Sequence, residues 1–248
     1  MTQFNDNLVL IVGKSSNGKS ASLMGLKNPE GVMYLNCEAG KKLPFPAKFM
    51  KGKDGKAGLV ITDPLQIMEA FEAAESIPHI HTIVIDTLTY LLDMYESLYV
   101  LNSTNTMKAW GDFAQYFKNL MQQYVAKSSK NVVFLAHTSE TMNDSEMVLE
   151  TKVPVKGSLK NNGIESFFSV VIGAKRVSLK TVKDYKNDLL VITPQEEALG
   201  FKYVYQTQVT KETVHERLRG PMGLFSQQET FIDNNLQLVL DRLHQYYA

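Results

Sequence analysis

Residues 8–20 read LVLIVGKSSNGKS, an apolar run that ends on Gly13 and passes at once into glycine, lysine and serine. Five apolar residues without polar alternation suit a strand buried on both faces of a parallel sheet. Local folding does not explain GKSSNGKS, because Gly, Ser and Asn all weaken regular structure. A bound phosphate does. The segment matches G-x-x-x-x-G-K-[ST], in which backbone N–H groups turn toward one centre and the following helix adds N-terminal partial charge. Chance yields the pattern in about one chain in a hundred of this length. The spacing predicts that Gly13, Lys14, Ser15, Ser16, Asn17 and Gly18 wrap the phosphates. Lys19 then reaches the β- and γ-phosphates and Ser20 holds Mg²⁺, with ATP as the expected nucleotide.

Further strands are expected in GVMYLNC (31–37), LVIT (59–62), HTIVID (81–86), NVVFLAH (131–137) and FFSVVIGA (167–174). Helices are expected over 19–26, from Asp63-Pro64 to about Ala74, and over 89–100 and 108–127. The alternation predicts an α/β fold, a mostly parallel sheet with helices on both faces. After Arg176 the texture changes. LLVIT and FKYVYQTQVT read as antiparallel strands joined by a turn in PQEEALG, and NLQLVLDRLHQYY as a closing amphipathic helix. One domain over 1–248 is expected, with a core over about 8–174 and a β-rich extension plus final helix over about 175–248.

Lys+Arg and Asp+Glu both total 26 in 248 residues, so no global field draws in nucleic acid. Local patches do exist. Residues 41–56 hold six lysines and one aspartate, and 175–186 hold five basic residues and one acid, whereas 139–150 carry four acids and no base. Each is otherwise a solvated loop. Cys37 is the single cysteine, which excludes an internal disulfide and fits a reducing cytoplasm. No apolar run is long enough for a membrane span, and MTQFNDN lacks a signal-peptide pattern.

Hydrolysis requires an acid for the metal and a group that orients water. Asp86 closes TIVID at a strand's carboxyl edge and suits the first role; a helix N-cap for the following segment is the alternative. Glu38 ends the second strand at the same edge, where ligands bind in open α/β sheets, and suits water activation. The alternative is a surface turn. His137 ends NVVFLAH and is a candidate γ-phosphate contact, against a structural or capping histidine. The five histidines show no metal-ligand spacing with Cys37.

With GKSSNGKS, YLNCEAG, TIVIDTLT and VVFLAHTSE in this order, the chain resembles the RecA-type core ATPases. It is most similar to compact phage-encoded members, the single-strand annealing or recombination proteins of the Sak group. Classical additional-strand AAA+ proteins carry their catalytic acid after the aspartate; here Thr87 follows Asp86, which favours Glu38. The resemblance covers about 8–174 and the tail loosely. It implies an ATPase stimulated by DNA, a homo-oligomeric ring or filament on single-stranded DNA, and a single-strand DNA-binding protein as a further partner. The loop after His137, residues 138–162, would face DNA through Lys152, Lys156 and Lys160, since its first half is acidic. It also implies a neighbour's basic residue at the γ-phosphate. Arg217 and Arg219 are the candidates, against a solvated pair, with Arg219 preferred. The alternatives are a helicase-like motor or loader, a nucleotide-dependent interaction module without DNA, and a small-molecule kinase, for which no acceptor site is legible.

Overall fold

A computed structural model describes residues 5–52, 55–144 and 146–248; Lys53 and Asp54 of the lysine-rich stretch and Ser145 of the acidic one lie outside the described residues, as do residues 1–4 of the amino-terminal stretch. The elements run β1 (Leu8–Gly13), β2 (Val32–Asn36), β3 (Leu59–Val60), α1 (Gln66–Ser76), β4 (Thr82–Asp86), α2 (Leu88–Tyr95), α3 (Thr106–Asn119) and β5 (Asn131–His137). The hairpin β6 (Ser139–Asn143) and β7 (Val148–Lys152) follows, then β8 (Val170–Ser178), α4 (Leu179–Val182), α5 (Pro194–Leu199), β9 (Phe201–Gln206), β10 (Phe231–Asp233) and α6 (Leu236–Tyr247). An eight-stranded sheet has the order β10-β9-β8-β1-β5-β4-β2-β3. The pairs from β8 through β3 are parallel, while β9 runs antiparallel to both β8 and β10. The mostly parallel sheet and its antiparallel C-terminal strands are as expected.

The continuous apolar runs have a direct cause, since each face of the sheet is covered. Leu10 and Val12 pack with Leu35, Ile85 and Phe134 against Phe71 of α1, Leu91 of α2 and Phe117 of α3. Val9 and Ile11 point the other way and pack with Val84, Val133 and Ile172 against Leu23 and against Leu236, Val239, Leu240 and Leu243 of α6. The final helix therefore covers the second face of the core sheet. It is not an appendage to the extension.

Several local expectations change. The helix expected over 19–26 is a short 3₁₀ helix of two turns, Ser20–Gly25. Ser22 Oγ back-bonds to the Lys19 carbonyl at 2.6 Å, and left-handed Asn28 followed by Pro29 stops the chain from continuing. The helices expected over 89–100 and 108–127 are α2 and α3, each continued by a π segment, Glu96–Val100 and Leu120–Val125. LLVIT is not a strand. Asn187 fixes its own Leu189 N–H and three carbonyls nearby, and only two hydrogen bonds tie the segment to Asp233 along the open edge of β10. PQEEALG is the helix α5, started by a capping box between Thr193 and Glu196 with Pro194 at the first position. Within the loop expected over 138–162, Ser139–Asn143 and Val148–Lys152 pair as the antiparallel strands β6 and β7.

Candidate active site

Strand order sets the site. β5 lies between β1 and β4, so the register Gly13↔His137, Leu135↔Asp86 and Asp86↔Asn36 brings the phosphate loop, His137, Asp86 and the residues after Asn36 to one carboxyl edge. There they line a cleft of about 460 Å³ together with Ser15, Ser16, Gly18, Lys19, Ser20 and Glu38. Asn17 faces a smaller cavity on the other side of the loop.

The two loop glycines are required for different reasons. A Cβ on Gly13 would stand 2.5 Å from the Ala174 carbonyl oxygen of β8, so close strand approach fixes that position. Gly18 has φ +87°, and its Cβ would meet the Asn234 amide at 2.6 Å. The buried Lys19 ammonium donates to the carbonyls of Gly13 (2.8 Å) and Lys14 (3.0 Å) and approaches His137 Nδ1 at 3.2 Å. An ammonium has only donors, so His137 Nδ1 is the acceptor, and its Nε2–H donates to Glu38 Oε1 at 3.1 Å. The two neighbours fix the orientation of the ring. Burial lowers the Lys19 pKa to about 8, against the opposing pull of Asp86 and Glu38.

Ser20 Oγ and Tyr34 OH both donate to Asp86 Oδ2, each at 2.8 Å. Asp86 Oδ1 is buried with no hydrogen-bond partner. Burial pushes its pKa up despite the two donors. An unpartnered carboxylate oxygen beside a serine hydroxyl, at the mouth of a phosphate loop, is the hard-oxygen donor set that Mg²⁺ uses with phosphates and water. The residues present fit that ion.

Glu38 does not end the second strand as expected: β2 closes at Asn36, and Glu38 opens a built turn two residues on. Buried Asn36 accepts from the Glu38 N–H at 2.9 Å and donates to the Lys41 carbonyl at 2.8 Å, so one side chain clamps both ends of 38–41. Ala39 and Gly40 are both left-handed, with φ of 51° and 76°. Lys41 Nζ donates to Glu38 Oε2 at 2.8 Å. Burial alone would raise the Glu38 pKa, but the hydrogen bonds from Lys41 and His137 hold it below the usual range. Burial pushes the Cys37 thiol up, as befits a core residue and not a nucleophile.

The remaining expected residues lie elsewhere. Lys14 pairs with Glu140 of β6 at 2.6 Å. Lys152, Lys156, Lys160 and Arg217 line one groove of about 600 Å³ beneath the hairpin. Lys152 pairs with Glu150, and Lys156 with Glu96, whereas Lys160 forms no ion pair among the described residues. Arg217 pairs with Glu165 and Glu150. Arg219 is exposed and bridges Val171 through its backbone, level with Leu10 and well behind the cleft. Neither arginine lines the cleft of its own chain.

Sequence reasoning missed Tyr34, Asn36, Lys41, Tyr203 and Asn234. Tyr203 of β9 and Asn234 before α6 line the cleft from the far end of the chain, and Asn234 Nδ2 holds the Gly18 carbonyl at 2.9 Å. For Lys41 the E-x-x-K spacing was available inside a stretch read as a basic loop. No local signal marks Asn234.

Residues 5–213 match the AAA domain family. No curated protein sequence matches the chain. Among solved structures, it is similar to a KaiC-like protein from the hyperthermophilic archaeon Pyrococcus horikoshii OT3, at 12% identity and a TM-score of 0.42, with 85% of this chain and 82% of that chain covered. No helix among the described residues is long and apolar enough to cross a membrane. The phosphate loop, the paired Ser20 and Asp86 and a match over most of the chain converge on one statement: this protein belongs to the AAA domain family of P-loop ATPases.

Proposed function

We propose that the chain binds ATP with Mg²⁺, hydrolyses it slowly, and assembles through homo-oligomers on single-stranded DNA in phage-type recombination or annealing, in the cytoplasm of a host cell. The observation that carries the ATPase reading is the meeting of Lys19, Ser20, Asp86, Glu38 and His137 in one cleft. Lys19 binds the β- and γ-phosphates; Ser20 and Asp86 hold Mg²⁺, which when bound neutralises charge on the phosphates. Glu38, kept ionised by its two donors, orients water and takes its proton as the water oxygen bonds to Pγ and the bond from Pγ to the bridging oxygen breaks. His137 lies between Lys19 and Glu38 and exchanges one of these partners for the γ-phosphate.

The DNA reading draws support from the groove that gathers Lys152, Lys156, Lys160 and Arg217, next to a hairpin that begins two residues after His137. The Lys14–Glu140 pair ties that hairpin to the phosphate loop, giving nucleotide a route to the groove. Arg219, or Arg217 once freed from its acids, is the residue a neighbour would present to the γ-phosphate. A single-strand DNA-binding protein fits as a further partner. A second reading, a nucleotide-dependent interaction module without DNA, is favoured by the acids already paired with Lys152 and Lys156.

Gel filtration with and without ATP and single-stranded DNA tests the assembly, and turnover of Glu38→Gln tests the chemistry. Expected are a larger species that needs both ligands, and a variant that binds ATP while turnover falls about 10²- to 10⁴-fold. Assembly indifferent to DNA supports the interaction module instead.

A further inference from the structure

We propose that Lys41 is a catalytic lysine supplied in cis, which holds Glu38 by ion pairing and transfers its ammonium to the γ-phosphate of bound ATP. The proposal rests on the reading of the cleft as an ATP-hydrolysing site. Phosphoryl transfer needs cations around the three γ-phosphate oxygens, beyond the loop lysine. Among the described residues the cleft lining contains no arginine; its cations are Lys19, Lys41 and Lys42. Lys19 must give up a partner among Gly13, Lys14 and His137 to bind the β- and γ-phosphates, and as one cation it does not surround all three γ-phosphate oxygens.

Lys41 is placed for a transfer. The Asn36 clamp and a 3.0 Å bond from the Lys41 N–H to the Glu38 carbonyl fix its backbone, while its side chain is 67% exposed and free to swing. A water held by Glu38 must sit about 3–3.5 Å from Pγ to react. The ammonium on the other Glu38 oxygen is then within a side-chain rotation of the γ-phosphate oxygens.

The transfer does two things at once. Paired with Lys41, the Glu38 carboxylate is a weakened base, because a cation stabilises its ionised form. Moving the ammonium to phosphate raises the basicity of Glu38 as a water proton must be removed, and places positive charge where negative charge gathers. Atoms balance without an added reactant. The water oxygen bonds to Pγ, the Pγ–O bond to ADP breaks with its electron pair leaving on ADP, and the water proton passes through Glu38 to the released phosphate. Lys41 keeps its protons throughout.

The test compares Lys41→Ala and Lys41→Arg with the wild-type chain, measuring turnover, its pH profile, and binding of ADP and of a non-hydrolysable ATP analogue. Lys41→Ala is expected to lower kcat about 10²-fold, the usual loss for one charge-stabilising donor. It should weaken the analogue but not ADP, which lacks the γ-phosphate, and shift the acid limb of kcat/KM to higher pH. Lys41→Arg should recover part of the turnover. Unchanged turnover in Lys41→Ala, or equal loss of ADP and analogue affinity, overturns the proposal. A wild-type chain without turnover, or a Lys19→Ala chain with full turnover, instead overturns the ATPase reading beneath it.

Discussion

Ser20 Oγ donates to Asp86 Oδ2 at 2.8 Å, which leaves Oδ1 of the same carboxylate buried and unpartnered. That oxygen costs stability at the place where the proposed Mg²⁺ would be held. With its folded pKa raised, Asp86 favours folding below the unfolded carboxylate pKa and loses that contribution as pH rises through the folded value. At neutral pH it is a cost. Asp86→Asn is therefore expected to raise the melting temperature by about 2–4 °C, corresponding to ~1 kcal/mol, while lowering Mg²⁺-dependent turnover by about 10²-fold or more. Thermal melts and turnover on the same preparation check both; a destabilised variant contradicts the account.

Lys19 gives a pH signature. Its pKa near 8 means that the ammonium begins to lose its proton just above neutrality. Phosphate binding restores the charge, so ATP binding should take up a proton above about pH 8, and affinity should fall up to about tenfold per pH unit there. Calorimetry in two buffers of different ionisation enthalpy measures the proton directly. Identical heats in both buffers at pH 9 rule the linkage out.

The groove lysines differ in availability. Lys160 has no ion-pair partner among the described residues, whereas Lys156 must leave Glu96 before it meets a phosphate. Lys160→Ala should flatten the log–log salt slope of single-stranded DNA binding by about 0.7. Glu96→Gln should strengthen binding by releasing Lys156. If Glu96→Gln binds DNA no better, Lys156 is structural and contributes nothing to the groove.

Completion of the site between subunits is tested by mixing. Glu38→Gln retains its arginines, and Arg217→Ala/Arg219→Ala retains its glutamate. Co-assembled, the two inactive variants should recover part of the wild-type turnover. Persistent inactivity in proven mixed assemblies would mean that the arginines do not act across a subunit interface and leaves Lys41 as the second cation.

Asn234 should matter to nucleotide although it makes its bond to the protein. Loss of the amide that holds the Gly18 carbonyl is expected to weaken ATP about 5- to 30-fold in Asn234→Ala, equivalent to ~1–2 kcal/mol. Asn234→Asp should be worse, because it sets a carboxylate against that carbonyl. Equilibrium binding of a fluorescent nucleotide settles the order.

The strands were legible because burial on both faces turns them into unbroken apolar runs; β1, β4 and β5 lie within a residue of where they were read. Asp86 and His137 are legible because each ends one of those strands, and Lys19 and Ser20 because the phosphate-loop motif fixes their places; Glu38 lies two residues beyond the end of β2. What was hidden depends on distance or on competition between bonds. Tyr34 looks like an ordinary inward strand residue until β4 brings Asp86 beside it. Lys41 looked like one member of a charge run, since its value lies in a clamp made by Asn36. LLVIT has strand composition, yet Asn187 satisfies its neighbours locally and no ladder forms. TPQE carries a readable capping box, so α5 starts where the composition alone suggests a turn.

Gly18 and Asn234 are separated by 216 positions, and the turn after the phosphate loop leans on the same distant segment through Tyr205–Ser22 and through Lys27–Asp241. On the ribosome, at about 5–20 residues per second, the motif emerges roughly 10–40 seconds before the residues that shape it. A nascent chain halted short of Asn234 carries every residue of GKSSNGKS without the support that sets its geometry. On the proposed reading of the cleft, nucleotide is expected to bind tightly only once Asn234 and the segment around it have folded against the loop, too late to guide the early folding of the strands beside it.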